Sequence, residues 1–314
     1  MLPLSALFLS CAASAAIYDA GSARLMDEGE LWARLQRAKV AYVGERHDNP
    51  LDHELQLMAL DSAFPGNGVT LGLEMLEASH QPTLDQYLAR AIDDQDFARF
   101  WEKAWGFPFE LYRPILERAR DRRIPVKALN APAALVRKVA RCGLASLSPE
   151  ERKRLPARIH PTQDSRYRDW VEEQLKRHGS TDPKRLERML EAMAVWNNSM
   201  AESALGPLGD GHRVLILAGF GHVMFKAGIA ESLRLRDSTL EQSVLINYPQ
   251  DEPGAAQEEL LRRLREPEGP ALWADYFWLR PLPGSALGGD GLDREPRRSG
   301  RFEALLLQSL EKCQ

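Results

Sequence analysis

The 314-residue sequence has little net charge. Its 41 lysines and arginines oppose 45 aspartates and glutamates, which gives a formal net charge of -4 at pH 7 and an isoelectric point near 6.0. Proteins that bind the phosphate backbone of nucleic acids carry a basic surface field, which this composition does not supply. We therefore expect no nucleic-acid partner.

Several signatures of catalysis and nucleotide binding are also missing. The sequence has no GxSxG elbow, no GxxxxGKS phosphate loop, no GxGxxG turn after the first predicted strand and no CxxC pair. Each of these motifs positions a nucleophile, a phosphate group or a redox-active thiol through its spacing. Their absence argues against a nucleotide-binding protein and against a serine hydrolase.

Long hydrophobic runs are absent after residue 16, so the body of the chain contains no candidate membrane span. Residues 1–16 (MLPLSALFLSCAASAA) are apolar and uncharged but too short for a stable anchor, which indicates an export signal. The segment that ends at Cys11 resembles the lipobox of bacterial lipoproteins, in which the cysteine is lipidated. Lipidation would attach the mature chain to the outer membrane, whereas cleavage after Ala15 would release it into the periplasm.

Cysteine is scarce, with three residues in the chain, of which Cys142 and Cys313 follow the signal. In an oxidising compartment these two thiols can form a disulfide that closes a very long loop. The alternative is a pair of free thiols, and the sequence leaves both open.

Five short apolar runs bounded by polar turns indicate buried parallel strands. They span residues 39–44, 69–74, 125–130, 214–219 and 243–248. Segments with a helical spacing of apolar residues lie at 25–38, 51–64, 111–123 and 131–141. This alternation predicts an α/β fold, with a mostly parallel central sheet flanked by helices and right-handed crossovers.

Residues 17–314 are predicted to form a single domain with two helical insertions, at about 81–112 and 148–207. The second insertion has no strand candidate and is rich in Arg, Glu and Lys, with Leu, Met and Trp at helical intervals. The tail from residue 249 onward is rich in Pro and Gly and contains one strand-like run, at 273–279.

Polar residues follow four of the predicted strands, at the end where parallel strands present their loops to ligands. They are Glu45, His47 and Asp48 after the first strand, Glu74 after the second, Asn130 after the third and His222 after the fourth. Random placement would scatter such residues over both ends of the sheet. The sequence therefore predicts one functional crevice at the carboxyl edge.

Structural roles compete with this interpretation at some positions. Asp48 or Asn49 can cap the helix that begins at Pro50, and His53 can be an ordinary helix residue. Glu74 is harder to explain in this way, because a carboxylate that closes an apolar strand must be paired, protonated or bound. We favour functional roles for His47 and His222.

The linked motifs GERHDNPLDH, LGLEM, LNAP, WNNSMA and LAGFGHVMFKAGI occur in this order between residues 44 and 229. In order and spacing they resemble the ChaN family of haem-binding uptake lipoproteins, which belongs to a superfamily with Tiki proteases and erythromycin esterases. The resemblance implies a membrane-anchored protein that binds haem, with tyrosine as an iron ligand. It further implies a dimer around paired haems and partners among the receptor or transporter components of haem uptake.

The sequence departs from the family pattern at two places. The usual His-His after the first motif is Asp52-His53 here, and the usual Trp-Asp is Trp196-Asn197. The loss of an imidazole and a carboxylate argues mildly for a binding protein rather than a metal-dependent enzyme.

Haem requires an apolar slot, an axial ligand and polar or cationic groups for its propionates. The resemblance points to Tyr167 as the iron ligand, with Arg166 and His178 nearby on the same helix and His47 and His222 at the crevice. Two tyrosines beside the first insertion, Tyr87 and Tyr112, are alternative ligands.

The first insertion repeats large aromatic residues every four positions, at Phe97, Trp101 and Trp105. This spacing places the three rings on one helical face. The face either packs against the sheet or forms a flat wall for a porphyrin, and core packing is the commoner use.

A metal-dependent hydrolase is the alternative function, because the chain contains the two Gly-x-x-His elements of the Tiki relatives. Glu45, His47, Glu74 and His222 would then bind a divalent metal ion, with Glu45 or Glu74 as the general base. No dedicated zinc signature such as HExxH supports this set. The sequence therefore predicts a haem-binding protein first and a metallohydrolase second.

Overall fold

The computed structural model describes residues 16–66, 68–248, 257–266 and 269–279. Most of the predicted export signal, its Cys11 included, lies outside the described residues, as does Cys313. Cys142 is disulfide-bonded. Of the two alternatives that the sequence left open, a free thiol and a disulfide, the disulfide therefore holds at Cys142, and Cys313 as its partner stays an expectation.

Eight strands form one sheet in the order β2-β1-β8-β7-β3-β6-β4-β5. Their bounds are Ala16–Asp19 (β1), Arg24–Met26 (β2), Val40–Glu45 (β3), Val69–Glu77 (β4), Val126–Asn130 (β5), Arg213–Gly219 (β6), Gln242–Asn247 (β7) and Tyr276–Leu279 (β8). The ladders from β8 to β5 are parallel, whereas β1 runs antiparallel to both β2 and β8. The predicted fold class is confirmed, and all five predicted strands are present.

Eleven α-helices occur among the described residues. They are Glu28–Arg37 (α1), Pro50–Ser62 (α2), Gln81–Leu88 (α3), Asp94–Trp105 (α4), Arg113–Asp121 (α5), Ala133–Cys142 (α6), Pro149–Arg152 (α7), Ser165–Arg177 (α8), Pro183–Gly209 (α9), Ile229–Arg234 (α10) and Gln257–Leu264 (α11). Within the two segments predicted as helical insertions, α3 and α4 lie in the first and α7 to α9 in the second. Among all the described residues, no helix has the length and apolarity that a membrane span needs.

The sheet is covered on both faces, which is why its central strands are almost entirely apolar. On β3, Val40 and Tyr42 belong to the core on the side of α6, α8, α9 and α10, whereas Ala41 and Val43 belong to the core on the side of α1 to α5. All four residues are fully buried. Alternation along the strand therefore supplies two cores and leaves the strand ends for polar residues.

The predicted helix at 25–38 starts too early. Residues 24–26 are strand β2, paired with β1, and α1 begins only after Asp27, whose side chain accepts the backbone N–H of Glu30. Asp27 is a typical N-cap residue, and the acidic residues of the first turn match the helix dipole. The apolar spacing ran through the cap, so spacing alone placed the boundary incorrectly.

Strand β4 is longer than predicted and is irregular beside β5. Leu73 pairs with Ala128, but the next paired residues are Glu77 and Asn130, so the register shifts between them. Glu74 lies in this shifted segment. The strand thus carries a carboxylate past the regular ladder and over the carboxyl edge of the sheet.

Candidate functional site

Strands β3, β6 and β4 are neighbours in the sheet, and the loops at their carboxyl ends form the crevice predicted from the sequence. Glu45 at the end of β3 stands opposite Gly219 at the end of β6. The loop after β3 then leads into α2. Asn49 is the N-cap of this helix, and its side chain accepts the backbone N–H of Leu51. Pro50 occupies the first turn. Of the two predicted N-cap candidates, the structure thus selects Asn49.

Glu45 is the first buried carboxylate of the crevice and is 2% exposed. Its Oε1 accepts hydrogen bonds from His47 Nδ1 at 2.8 Å and from the Tyr112 hydroxyl at 2.5 Å. Its Oε2 accepts a bond of 2.5 Å from Gln56 Nε2, with His53 Nδ1 at 3.5 Å. Both carboxylate oxygens of Glu45 therefore accept hydrogen bonds from side chains of the fold.

The protonation of the Glu45–His47 pair follows from these contacts. Burial is the largest influence on Glu45 and opposes ionisation, but the hydrogen bond from His47 and the nearby imidazoles outweigh it, so the pKa of Glu45 is lowered. Burial lowers the pKa of His47, but the carboxylates of Glu45 and Glu74 raise it by more, so the net shift of the pKa is upward. The pair therefore favours an ionised carboxylate next to an imidazole whose Nδ1 carries the proton.

Aromatic side chains of the first insertion hold this pair. Trp105 donates its indole N–H to the Tyr112 oxygen at 3.2 Å, and its ring meets the His47 ring at a centroid distance of 4.8 Å. Burial, followed by the charge of Glu45, raises the pKa of Tyr112 well above its usual value, so Tyr112 acts as a donor. Phe97, Trp101 and Trp105 are all buried, so the core-packing alternative for this helix holds.

Glu74 is the second buried carboxylate and is 4% exposed. Its Oε2 accepts the backbone N–H of Gly219, and its Oε1 lies 3.4 Å from His222 Nε2. Burial opposes ionisation here too, but the His222 charge and hydrogen bond outweigh it and lower the pKa of Glu74 to about 2. His222 Nδ1 in turn lies 2.7 Å from Asn197 Oδ1, which fixes the orientation of the ring.

The turn Gly219-Phe220-Gly221 forms the floor between the two pairs. A Cβ at residue 219 would lie 2.5 Å from His47 Cε1, and one at residue 221 would lie 2.6 Å from the Trp170 ring. Both distances are far below van der Waals contact. A side chain at either position would displace the imidazole or the indole that rests on the backbone, and glycine avoids this displacement.

Tyr167 lies at this floor but points inward. Its side chain is 1% exposed, its hydroxyl donates to the Gly221 carbonyl at 2.7 Å, and Asn197 Nδ2 lies 3.4 Å from its oxygen. Burial raises the pKa of its phenol. Its predicted role as an iron ligand stays a prediction and requires this hydrogen bond to break.

The other predicted haem contacts on α8 are separated. Arg166 is exposed, pairs with Asp164 at 2.5 Å and lies over the Phe225 ring at 5.2 Å. His178 caps the opposite end of α8, roughly 16 Å along the axis from Tyr167 at 1.5 Å per residue. The structure therefore places Arg166 beside Asp164 and Phe225, and His178 at the other end of the helix.

The two alternative tyrosines also have structural partners. Tyr112 binds Glu45, and Tyr87 is fully buried, where Arg120 lies 5.0 Å from its ring centroid. Neither side chain faces the crevice as an exposed ligand would.

The proposed metal set does not assemble as such. Glu45, His47, Glu74 and His222 meet at the crevice, but in the described ranges no group of three or more His, Cys, Asp or Glu side chains has the arrangement of metal ligands. Glu45 is instead engaged by His47, by His53 and by further donors, and Glu74 by His222 and a backbone N–H. The four residues are better described as two carboxylate–imidazole pairs.

Three contributors to the site were not predicted: Gln56 on Glu45, Asn197 as the partner of His222, and Trp170 on Gly221. A signal for Gln56 was present, since α2 buries Asp52, His53 and Gln56 within two turns. Polar residues that share the buried side of a helix indicate a partner within the fold.

Comparisons with known proteins show the family of the chain. The family model described as haem-binding uptake, Tiki superfamily, ChaN matches residues 31–233, about two thirds of the chain. The chain belongs to this family. All five motifs of the crevice lie within the matched residues.

Similar proteins were found among solved structures and curated sequences. A structure of ChaN from Campylobacter jejuni, described as binding haem cofacially, has a TM-score of 0.62 at 16% identity and covers 85% of this chain and 97% of its own. An erythromycin esterase, EreC in an open conformation, has a TM-score of 0.42 at 13% identity, with 76% and 80% coverage. The curated relative RETICULATA-RELATED 5 of Arabidopsis thaliana, a chloroplastic protein, is 23% identical over 91% of this chain, which spans 40% of that protein's length.

Proposed function

We propose that this protein binds haem at the crevice between β3, β6 and β4. The supporting observation is that the residues matched by the haem-binding family model, 31–233, contain every side chain of the two carboxylate–imidazole pairs and the glycine turn between them. Haem supplies an iron that takes an axial ligand and two propionates that take cations.

The chemistry of the crevice fits such a group. His47 has a partner at Nδ1, but its Nε2 has no hydrogen bond to any described residue, and its side chain is 19% exposed. A histidine whose Nδ1–H is bound to a carboxylate presents a basic Nε2 lone pair. Trp105 and Phe107 pack against the same ring, with centroids 4.8 and 5.2 Å away. We therefore favour His47 over Tyr167 and His222 as the axial ligand.

Haem titration of residues 17–314, followed in the Soret region, tests this proposal. The wild type is expected to give a saturable spectrum, which weakens at least tenfold in His47→Ala and is unchanged in the control His80→Ala. Loss of the spectrum in Tyr167→Phe with His47→Ala unaffected would assign the iron to Tyr167. Absence of saturable binding by the wild type would overturn the proposal.

We also propose that the protein is an exported lipoprotein of haem uptake, which exchanges haem with receptor or transporter components and pairs as a homodimer around the haem. The apolar residues 1–16 with Cys11 support export and lipidation. Metabolic labelling with palmitate tests the anchor: label is expected in the wild type and absent in Cys11→Ser, and unlabelled wild type would contradict lipidation.

Hydrolysis is a second candidate function, favoured by the presence of two carboxylate–imidazole pairs at one crevice. His47, oriented by Glu45, would act as a general base through Nε2, and the Glu74–His222 pair would stabilise developing charge. Turnover of a panel of nitrophenyl esters tests it. Activity is expected to be lost in both His47→Ala and Glu45→Gln and kept in His80→Ala, and equal activity in all variants would reject this function.

A further inference from the structure

A cavity separate from the crevice lies between α4, α6 and the carboxyl end of β4. Its volume is about 410 Å³, which is within the range of cavities that bind small molecules. None of the four residues of the two carboxylate–imidazole pairs lines it. The residues that do line it therefore define a site with a chemistry of its own.

Two helix faces form walls of this cavity. Phe100, Lys103 and Ala104 have the i, i+3, i+4 spacing of one face of α4. Ala133 and Arg137 have the i, i+4 spacing of one face of α6. Ala104 and Ala133 have small side chains, so they leave open the space that larger residues at these positions would occupy.

Two aromatic rings give the cavity a flat surface. The rings of Phe100 and His80 have centroids 5.2 Å apart and an interplanar angle of 84°. Both side chains are half-buried, whereas Phe97, on a neighbouring face of α4, is fully buried in the core. Two perpendicular rings form a corner against which a planar ring packs well.

Two cationic side chains line the same cavity. Lys103 and Arg137 are exposed, and neither makes a side-chain hydrogen bond or ion pair with another described residue. The next residue of α6 differs in this respect, because Lys138 pairs with Glu151 at 2.7 Å. Two like charges at one cavity favour an anion between them.

Glu77, the carboxylate among the lining residues, has other partners. Its Oε1 accepts the backbone N–H of Ala133 at 2.9 Å, and its Oε2 lies 3.4 Å from the Ser79 hydroxyl, which donates to it. Ala133 begins α6, so the dipole of this helix balances the charge of Glu77. Glu77 therefore serves the start of α6, and within the described residues Lys103 and Arg137 stay without a carboxylate partner.

We propose that this cavity binds a small aromatic anion, such as an aryl carboxylate or an aryl sulfonate. The ring system packs in the corner formed by Phe100 and His80, and the anionic group lies between Lys103 and Arg137. This inference does not rest on haem binding, because it uses no residue of the crevice.

Anilinonaphthalene sulfonate (ANS) is the probe, because it joins a sulfonate to aromatic rings and fluoresces when bound. The 314-residue chain is expected to bind ANS saturably. In Lys103→Gln/Arg137→Gln we expect the Kd to rise about tenfold, since both cations are lost. The neutral N-phenylnaphthylamine has the same rings without the sulfonate, and its Kd should not change. Arg37→Gln/Lys184→Gln, which removes one exposed arginine and one exposed lysine elsewhere, is the matched control with unchanged Kd values.

Ala104→Leu tests the cavity without changing its charge. Leucine favours helices as alanine does, and its larger side chain fills the space beside Phe100. We expect the binding of both ligands to be lost and the urea midpoint to stay close to that of the wild type. Unchanged ANS binding in this variant would overturn the inference.

The remaining outcomes also decide the matter. A wild type without saturable ANS binding overturns the inference and leaves the proposed haem binding untouched, which the Soret titration tests by itself. An equal rise of the Kd for ANS in the control variant would assign the effect to overall charge. Loss of ANS binding in His47→Ala would place the probe in the crevice. Either of these two results would contradict a site between α4 and α6.

Discussion

The two carboxylate–imidazole pairs of the crevice are built by different means. Glu45 is held by side chains from three places along the chain, including Tyr112 of the first insertion and Gln56 of α2. Glu74 is held by one backbone N–H and by His222, which depends on Asn197 of α9. Glu45 therefore accepts hydrogen bonds from several side chains, whereas among the described residues one side chain, His222, lies within ion-pair distance of the Glu74 carboxylate and the His47 charge acts from further away.

This difference predicts how well the Glu45 half and the Glu74 half of the crevice tolerate substitution. A buried carboxylate with several donors keeps most of its stabilisation when one is lost, but a buried carboxylate that loses its one directly contacting cationic partner does not. The Glu45 half is thus suited to fixing one ring, His47, in a defined orientation. The Glu74 half connects the glycine turn, His222 and α9 through a few bonds.

The largest expected effect is in His222→Ala. Removing the imidazole in ion-pair contact with Glu74 leaves a buried charge with one backbone donor and the more distant His47, which we expect to lower the free energy of unfolding by about 3–5 kcal/mol. Urea denaturation at pH 7 measures this. The double variant Glu74→Gln/His222→Ala should recover part of the loss because the unpaired charge is gone. If both variants are equally unstable, Glu74 does not depend on His222.

Acid stability should show the same dependence. The pKa of Glu74 is about 2 in the folded protein, below its ordinary value of 4.5, so its contribution to stability is present above pH 4.5 and is lost as the pH falls toward 2. A shift of this size corresponds to about 3 kcal/mol. Urea midpoints measured from pH 6 to pH 2.5 should therefore fall more steeply in the wild type than in Glu74→Gln. Parallel curves would contradict the depressed pKa.

The smallest effect is expected in Tyr112→Phe. This change removes one donor from Glu45 and leaves His47 and Gln56 in place, so we expect a loss of about 2 kcal/mol in the free energy of unfolding. Urea denaturation provides the measurement, and Tyr87→Phe is its control because the buried hydroxyl of Tyr87 has no hydrogen-bond partner among the described residues. A loss as large as that of His222→Ala would end the distinction between the two halves.

Sequence patterns predicted the framework of this site well. Apolar runs closed by polar residues identified the strands and placed Glu45, His47, Glu74 and His222 at one edge, because the order of residues along a parallel strand fixes which end they occupy. The contacts of Gln56 and Trp170 depend on how helices dock on that edge, and no local pattern encodes docking. The three-residue strand β2 was missed for a related reason, since its pairing with β1 and not its composition makes it a strand.

The sequence also contains a signal for the orientation of the Tyr167 side chain, which the ligand prediction did not use. Tyr167, Val171 and Leu175 follow one another at four-residue spacing on α8, and all three are buried, whereas Arg166 beside them is exposed. This spacing places the tyrosine on the face that packs against the domain. A ligand chosen from that helix by pattern alone would be Arg166.

The register shift in β4 has a consequence for how this edge can change in length. Four steps of β4, from Leu73 to Glu77, face two steps of β5, from Ala128 to Asn130. The excess is two residues, an even number, so the alternation of side chains resumes on the same faces after the shift. Insertions or deletions of two residues at this place would therefore raise or lower Glu74 above the sheet without turning an apolar side chain toward the crevice, whereas a change of one residue would exchange the two faces.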